Sequence, residues 1–154
     1  MARLKKSNDK NGFFGIGIVN NVDGINIGTL WRSAFILGAS FIFTIDKRYK
    51  KQGSDVTRSW HKIPLYHYKD IGNLRENIPY DTQLIAVEQH PQAIPLKEFK
   101  HPQRAVYLLG NEQIGLGEKH LKVSQKIISL PGEDDSFNVA VAGSIVMYDR
   151  VSKL

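Results

Sequence analysis

The chain has 154 residues, 42% of them apolar and 23% charged, proportions that suit one globular domain with a real core and speak against a disordered or fibrous chain. No run approaches the roughly 18 consecutive apolar residues of a membrane-spanning helix, and the absence of cysteine excludes disulfides, iron–sulfur clusters, thiolate metal sites and cysteine nucleophiles. Lys and Arg number 21 against 15 Asp and Glu, a net charge of +6, and such an excess draws proteins toward nucleic acid.

Residues 1–12 (MARLKKSNDKNG) are polar and basic, without apolar periodicity, and are expected to form a mobile arm ahead of a domain over 13–154. They lack a signal peptide's apolar segment, so a cytoplasmic protein is expected. The continuous apolar run Phe13–Val19, bounded by Gly12 and Asn20-Asn21, predicts a buried strand. Ile27, Leu30, Trp31, Ala34 and Phe35 follow the spacing of one helical face, with Gly38 as the stop. A second strand, Phe41–Ile45, comes next. From Asp46 to Trp60 the chain is dense in basic residues without a period, which marks a long surface loop, and Lys47, Arg48, Lys50, Lys51 and Arg58 are its candidate nucleic-acid contacts.

Strands near 63–66, 83–88 and 105–109 then alternate with a helix near 71–77 and at most one helical turn at 96–99. This order predicts an α/β fold with a mostly parallel sheet. The last third reads as loop, strand, loop and a helix over 136–151 that is apolar on nearly every side (Phe137, Val139, Ala140, Val141, Ala142, Ile145, Val146, Met147, Tyr148). Such a helix needs cover on more than one side. The sheet supplies one surface, and a second copy of the chain supplies the other in the expected homodimer.

Several motifs fail on inspection. Gly15-Ile16-Gly17 opens like a dinucleotide fingerprint, but Asn20 stands at the third glycine. The glycines of Gly110 to Gly115 have P-loop spacing, yet Leu116 replaces the phosphate-binding lysine. The histidines His61, His67, His90, His101 and His120 show no ligand spacing, so no metal site is expected. Ser144 lies inside an apolar helix rather than at a nucleophile elbow. The acidic run Glu133-Asp134-Asp135 precedes a helix start, where carboxylates are favoured by the dipole anyway.

Three polar clusters remain, each at a strand end or helix start, where open α/β sheets place ligands. In the first, Asn26 is a natural N-cap, Gly28 permits close approach of another backbone, and Arg32 is an arginine off the apolar face, on roughly the same side as Asn26, suited to a phosphate or ribose hydroxyl. The second, Leu108 to Gly117, runs from a strand into a loop with three glycines and the carboxylate of Glu112. The third joins Ile127–Gly132 to Ser136-Phe137-Asn138-Val139. There Ser136 fits an N-cap, and Asn138, polar in an apolar run, must find partners.

Together the clusters resemble the signature motifs of the SpoU (TrmH) branch of the SPOUT RNA methyltransferases. Asn26, Gly28, Arg32 and Ala34 match Asn-x-Gly-x-x-x-Arg with a following Ala. Gly110 to Leu116 match Gly-Asn/Ser-Glu-x-x-Gly-Leu. Ile128, Leu130, Gly132, Ser136, Asn138 and Val139 match the third motif, with Ser129 where the family has proline and Phe137 where it has leucine. The likeness spans about residues 13–151.

The resemblance implies a SPOUT-type fold with a deep C-terminal trefoil knot, S-adenosyl-L-methionine as cofactor, a homodimer with sites at the subunit interface, and methyl transfer to a ribose 2′-hydroxyl of tRNA or rRNA. It implies a cofactor site of Leu109, Gly110, Asn111, Gly115, Ile128, Leu130, Phe137 and Asn138, binding largely through backbone groups. It also implies a catalytic set of Arg32, Asn26, Glu112, Ser136 and Asn138, in which Arg32 positions the hydroxyl or a phosphate and stabilises the incipient alkoxide. A non-catalytic RNA-binding module with the same fold, and a methyltransferase acting on a base or small molecule, are the competing readings.

Overall fold

A computed structural model describes residues 12–21, 23–47, 62–133 and 135–154. Seven strands, β1 (Phe13–Val19), β2 (Phe41–Ile45), β3 (Leu65–Tyr68), β4 (Gln83–Val87), β5 (Ile94–Pro95), β6 (Arg104–Gly110) and β7 (Lys126–Ser129), form one sheet in the order β3-β2-β1-β6-β4-β7-β5. Every pairing is parallel, as the alternation of strands and helices predicts. The helices are α1 (Gly24–Leu37), α2 (Ile71–Asn77), α3 (Glu118–Val123) and α4 (Val139–Lys153).

Strand side chains alternate between two cores, as the period of 2 requires. Phe14, Ile16, Ile18, Tyr107 and Leu109 pack with α1 and α4 on one face. Phe41, Phe43, Ile45, Val106 and Leu108 pack with Leu74 of α2 on the other, where Leu121 and Val123 of α3 lie against them. Both faces are covered, which is why the central strands read as continuous apolar runs. The glycines of β1 serve this packing: a Cβ on Gly15 would lie 2.4 Å from the Phe41 ring, and one on Gly17 2.3 Å from that of Phe43.

Helix α4 is fastened at its C-terminal end by a buried polar network. Arg150, 0% exposed, donates from Nη1 to the Pro102 carbonyl (2.7 Å) and the Tyr107 hydroxyl (3.1 Å), and from Nη2 to the Gln103 carbonyl (2.9 Å). Its guanidinium also lies 4.9 Å from the Phe14 ring centre. Tyr107 donates its hydroxyl hydrogen to His101 Nδ1 (2.6 Å), and His101 Nε2 donates to Asp149 (2.7 Å). Burial pushes the Tyr107 hydroxyl up to about 12, so it stays a donor. Burial also lowers His101, outweighing the Asp149 carboxylate beside it, with Arg150 and Lys153 adding to the depression. A neutral imidazole satisfies both of its hydrogen bonds here.

The structure corrects several expectations. Helix α1 begins earlier than its apolar spacing suggests: Asp23, accepting from the Ile25 amide, is the N-cap, and Asn26 lies in the first turn. Asn138, not Ser136, caps α4, accepting from the amides of Ala140 and Val141, so that helix starts at Val139. A Cβ on Gly28 would meet open space, so no backbone of the described residues of this chain approaches there. The strand expected near 63–66 lies at Leu65–Tyr68. Short elements with too few residues to show a period, β5 and α3, emerge only in the fold. Gly38 does end α1, in the left-handed conformation (φ 90°) that glycine adopts without strain. No helix of the described residues is long and apolar enough to cross a membrane.

Candidate active site

The chain order reverses between β1 and β6, so the C-terminal ends of the strands open a crevice there, where Val19 and Gly110 are register partners. The loop leaving β6 is tied down by Asn111. Its Oδ1 accepts from the Gln113 (2.9 Å) and Ile114 (2.7 Å) amides, its Nδ2 donates to the Asn20 carbonyl (3.0 Å), and its carbonyl accepts from the Gly115 amide (2.9 Å). Gly115 has φ 69°, and a Cβ on Gly110 would lie 2.4 Å from the Gly115 carbonyl carbon. Only glycines close this loop.

Glu88 and Gln89, just past β4, bind the loop to its neighbours. Glu88 Oε2 accepts from the Leu116 amide (2.9 Å) and Oε1 from the Gln89 amide (2.9 Å). Gln89 Nε2 donates to the Leu130 carbonyl (2.9 Å) beyond β7. Two adjacent side chains thus cross-link three loops that are far apart in sequence.

At the N-terminus of α4 a polar triangle joins another three segments. Asn138 Nδ2 donates to Asn26 Oδ1 (2.9 Å) and to Glu112 Oε1 (2.9 Å), and Asn26 Nδ2 donates to the same carboxylate oxygen (3.3 Å), as does the Val139 amide (3.3 Å). The Glu112 carboxylate stands at the positive end of the helix dipole, where an anion is favoured. Its Oε2 makes no hydrogen bond among the described residues. Two clefts flank this carboxylate. The first, about 130 Å³, is lined by the glycine loop, Glu88, Leu130, Ser136, Phe137 and Ala142, among others. The second, about 280 Å³, is lined by Asn21, Asp23, Asn26, Asn111, Glu112, Gln113, Asn138 and Val139.

The sequence model of the SpoU rRNA Methylase family matches residues 14–148. The chain belongs to that family. It is 28% identical over 134 residues to a tRNA (guanosine(18)-2′-O)-methyltransferase of Borreliella burgdorferi, over 84% of this chain and 62% of that protein. It therefore spans less than two thirds of that relative's length. Among solved structures it superposes on the SpoU methyltransferase AviRb from Streptomyces viridochromogenes in complex with AdoMet, with a TM-score of 0.79, 23% identity, and 91% of this chain against 60% of that one. It likewise superposes, at TM-score 0.81 and 21% identity over 93% of this chain and 97% of the other, on a protein described as methylating the 2-OH of C/U34 on tRNA. At such identities the superpositions give the shared SpoU fold.

Within this SpoU fold, Leu109, Gly110, Asn111, Gly115, Leu130 and Phe137 line the first cleft together with Glu112 and Ser136. Ile128, fully buried, lies in the core, and Asn138 faces the second cleft. Arg32 stands apart. Six residues advance a helix by about 240°, so it does not share the side of Asn26; it is exposed, lines neither cleft and has no hydrogen bond or ion pair among the described residues. Lys47 is exposed, whereas Arg48, Lys50, Lys51 and Arg58 lie outside the described residues. Glu88 and Gln89 escape sequence reasoning. The available signal was a charged residue and an amide placed directly after an apolar parallel strand, the position at which such sheets present ligand contacts.

Proposed function

We propose that this chain transfers the methyl group of S-adenosyl-L-methionine to a ribose 2′-hydroxyl of tRNA or rRNA, acting in the cytoplasm as a homodimer. The observation that carries this reading is the triangle Asn26–Glu112–Asn138, which joins one residue from each of the three motifs beside the glycine-loop cleft. The first cleft suits the cofactor. Leu109, Leu130, Phe137, Val139 and Ala142 offer apolar surface, and its carboxylates Glu88, Glu112 and Asp135 stand without a Lys, Arg or His among the described lining residues, a balance that favours a sulfonium cation. When bound, the cofactor supplies an electrophilic methyl group.

The chain's own residues then hold the acceptor. Asn26 and Asn138 fix the Glu112 carboxylate, whose Oε2 is available to a ribose hydroxyl, and Ser136 lies on the wall of the same cleft. Arg32 supplies the positive charge that stabilises the incipient alkoxide. Since it lines neither cleft of its own chain, this role requires delivery into the site of a second copy. Ile25, Phe35 and Ile36 of α1 and Val141 and Tyr148 of α4 are exposed apolar side chains on the two helices such a partner would cover. In the same reading the glycine loop and the segment after β7 belong to a deep trefoil knot, residues 13–154 form the methyltransferase domain, and residues 1–12 with Lys47, Arg48, Lys50, Lys51 and Arg58 contact RNA phosphates.

Incubation with labelled S-adenosylmethionine and total tRNA or rRNA, followed by digestion, should yield a 2′-O-methylated nucleoside. Arg32→Ala should abolish transfer while cofactor affinity by calorimetry stays nearly unchanged. RNA binding without any transfer would favour the non-catalytic module, and label on a base would exclude the ribose.

A further inference from the structure

We infer that the second cleft seats the acceptor nucleotide, with the Gln113 carboxamide reading the hydrogen-bonding edge of its base. The inference rests on the proposed methyl transfer and adds where the acceptor lies and what selects it. In that transfer the ribose oxygen attacks the methyl carbon from the side opposite the departing sulfur, so the O–C bond forms as the C–S bond breaks, the C–S electron pair stays on the sulfur of the departing S-adenosylhomocysteine, and the hydroxyl proton is released to water. The acceptor must therefore enter through a wall of the cofactor cleft. Asn111, Glu112 and Val139 line both clefts and are that wall.

The lining decides which part of an RNA can enter. The second cleft contains the carboxylates of Asp23 and Glu112 and no Lys, Arg or His among the described residues. A phosphodiester would be repelled there, whereas ribose hydroxyls and base N–H groups find acceptors. The phosphates consequently run outside, and a single sugar with its base turns inward, as enzymes acting on one nucleotide commonly require. The other polar lining residues, Asn21, Asn26, Asn111, Gln113 and Asn138, carry carboxamides, which both donate and accept and so match a base edge.

Most of those carboxamides are already engaged. Asn26 and Asn138 hold Glu112, Asn111 holds the glycine loop, and Asn21 donates to the Asp23 carbonyl (2.8 Å). Gln113 is exposed; its backbone amide is bonded to Asn111, but its side chain has no hydrogen bond among the described residues. It is held at the cleft by its backbone with the carboxamide left for a ligand. Glu112 Oε2 is placed to accept from the ribose hydroxyl on the shared wall.

The test uses the full chain, S-adenosylmethionine and unmodified transcribed tRNAs and rRNAs, with the modified nucleosides identified by mass spectrometry. Gln113→Ala should raise the KM for RNA about tenfold, the loss of one or two hydrogen bonds, and broaden the set of nucleosides modified. The cofactor dissociation constant by calorimetry should not move, which also shows that the variant folds. Gln113→Glu, which removes the N–H donors and adds a charge, should alter the nucleoside preference. An active wild type whose Gln113→Ala variant keeps the same RNA KM and nucleoside spectrum, or loses cofactor affinity instead, overturns this inference and leaves the reaction standing. A wild type that methylates no RNA ribose removes both.

Discussion

Helix α4 carries a polar cluster at each end, and the two behave as opposites. At its N-terminus Asn138 meets Asn26 and Glu112 on an exposed surface between two clefts. At its C-terminus Arg150, Tyr107 and His101 are sealed in the core, and Asp149 is only partly open to solvent. Hydrogen bonds in the first cluster are exchangeable with water or a ligand, so their net contribution to stability is small. Those in the second cannot be replaced by water, so each lost partner strands a buried polar group. The exposed end can therefore be spent on chemistry, and the buried end holds the helix that presents it.

The largest effect should come from the buried end. Arg150→Met leaves the Tyr107 hydroxyl and the Pro102 and Gln103 carbonyls without their donor, and should cost about 3 kcal/mol or more of stability, a fall in Tm of roughly 10 °C. Cofactor affinity of the fraction still folded should remain. A Tm within 2 °C of wild type, on the same scale of roughly 2–4 °C per kcal/mol, would break the contrast at its stronger side.

Asn138→Asp probes the exposed end. It retains an acceptor for the Ala140 and Val141 amides, so the cap survives and stability should change by less than about 1 kcal/mol. It removes both Nδ2 donors and places a second carboxylate beside Glu112, so methyl transfer should fall about a hundredfold. Asn138→Ala should lose the cap as well, about 1 kcal/mol. Equal activity in the Asp variant would show that the triangle only caps a helix.

Glu88→Gln sharpens the comparison further, because Glu88 cross-links loops without belonging to either cluster. An amide cannot accept from both the Leu116 and Gln89 N–H groups as the two carboxylate oxygens do. Cofactor affinity by calorimetry should drop about tenfold with kcat at saturating cofactor little changed. A change in kcat alone would assign Glu88 to the chemistry instead of to loop geometry.

The smallest effect is on pH. Because His101 is lowered by burial in the folded state, the unfolded chain takes up the proton first. Its stabilising contribution is complete above the ordinary histidine value of about 6.5 and is lost as pH falls below it. His120, lowered chiefly by burial as well, acts in the same direction. Denaturant unfolding from pH 8 down to 5 should show stability declining toward acid, with a shallower slope in His101→Gln; an unchanged slope would take His101 out of the account.

Long apolar signals were legible because burial on both faces of a parallel sheet leaves no alternative to an apolar residue: Phe13–Val19 and Phe41–Ile45 fall where the apolar runs put them. Caps were less so. Asn26 and Ser136 each look like the first residue of a helix, but Asp23 and Asn138 take the role, since an N-cap is chosen by which side chain reaches the exposed amides and not by residue type alone. The motif residues of the glycine-loop cleft were legible through their glycines and carboxylate. Glu88 and Gln89 were not, because their partners, Leu116 and Leu130, lie 28 and 41 residues away.

By itself the sequence determined an α/β chain with buried parallel strands and an excess of positive charge, both consequences of composition and short-range spacing, and carried three polar clusters whose resemblance pointed to the SpoU family. Tertiary structure alone decided that Asn26, Glu112 and Asn138 share one carboxylate oxygen, that Glu112 divides two clefts, and that Arg32 stands away from both. Those facts depend on which strand ends neighbour each other at the reversal between β1 and β6. Contacts across 26 to 112 residues are fixed by strand order and helix packing, to which no local pattern of residues is sensitive.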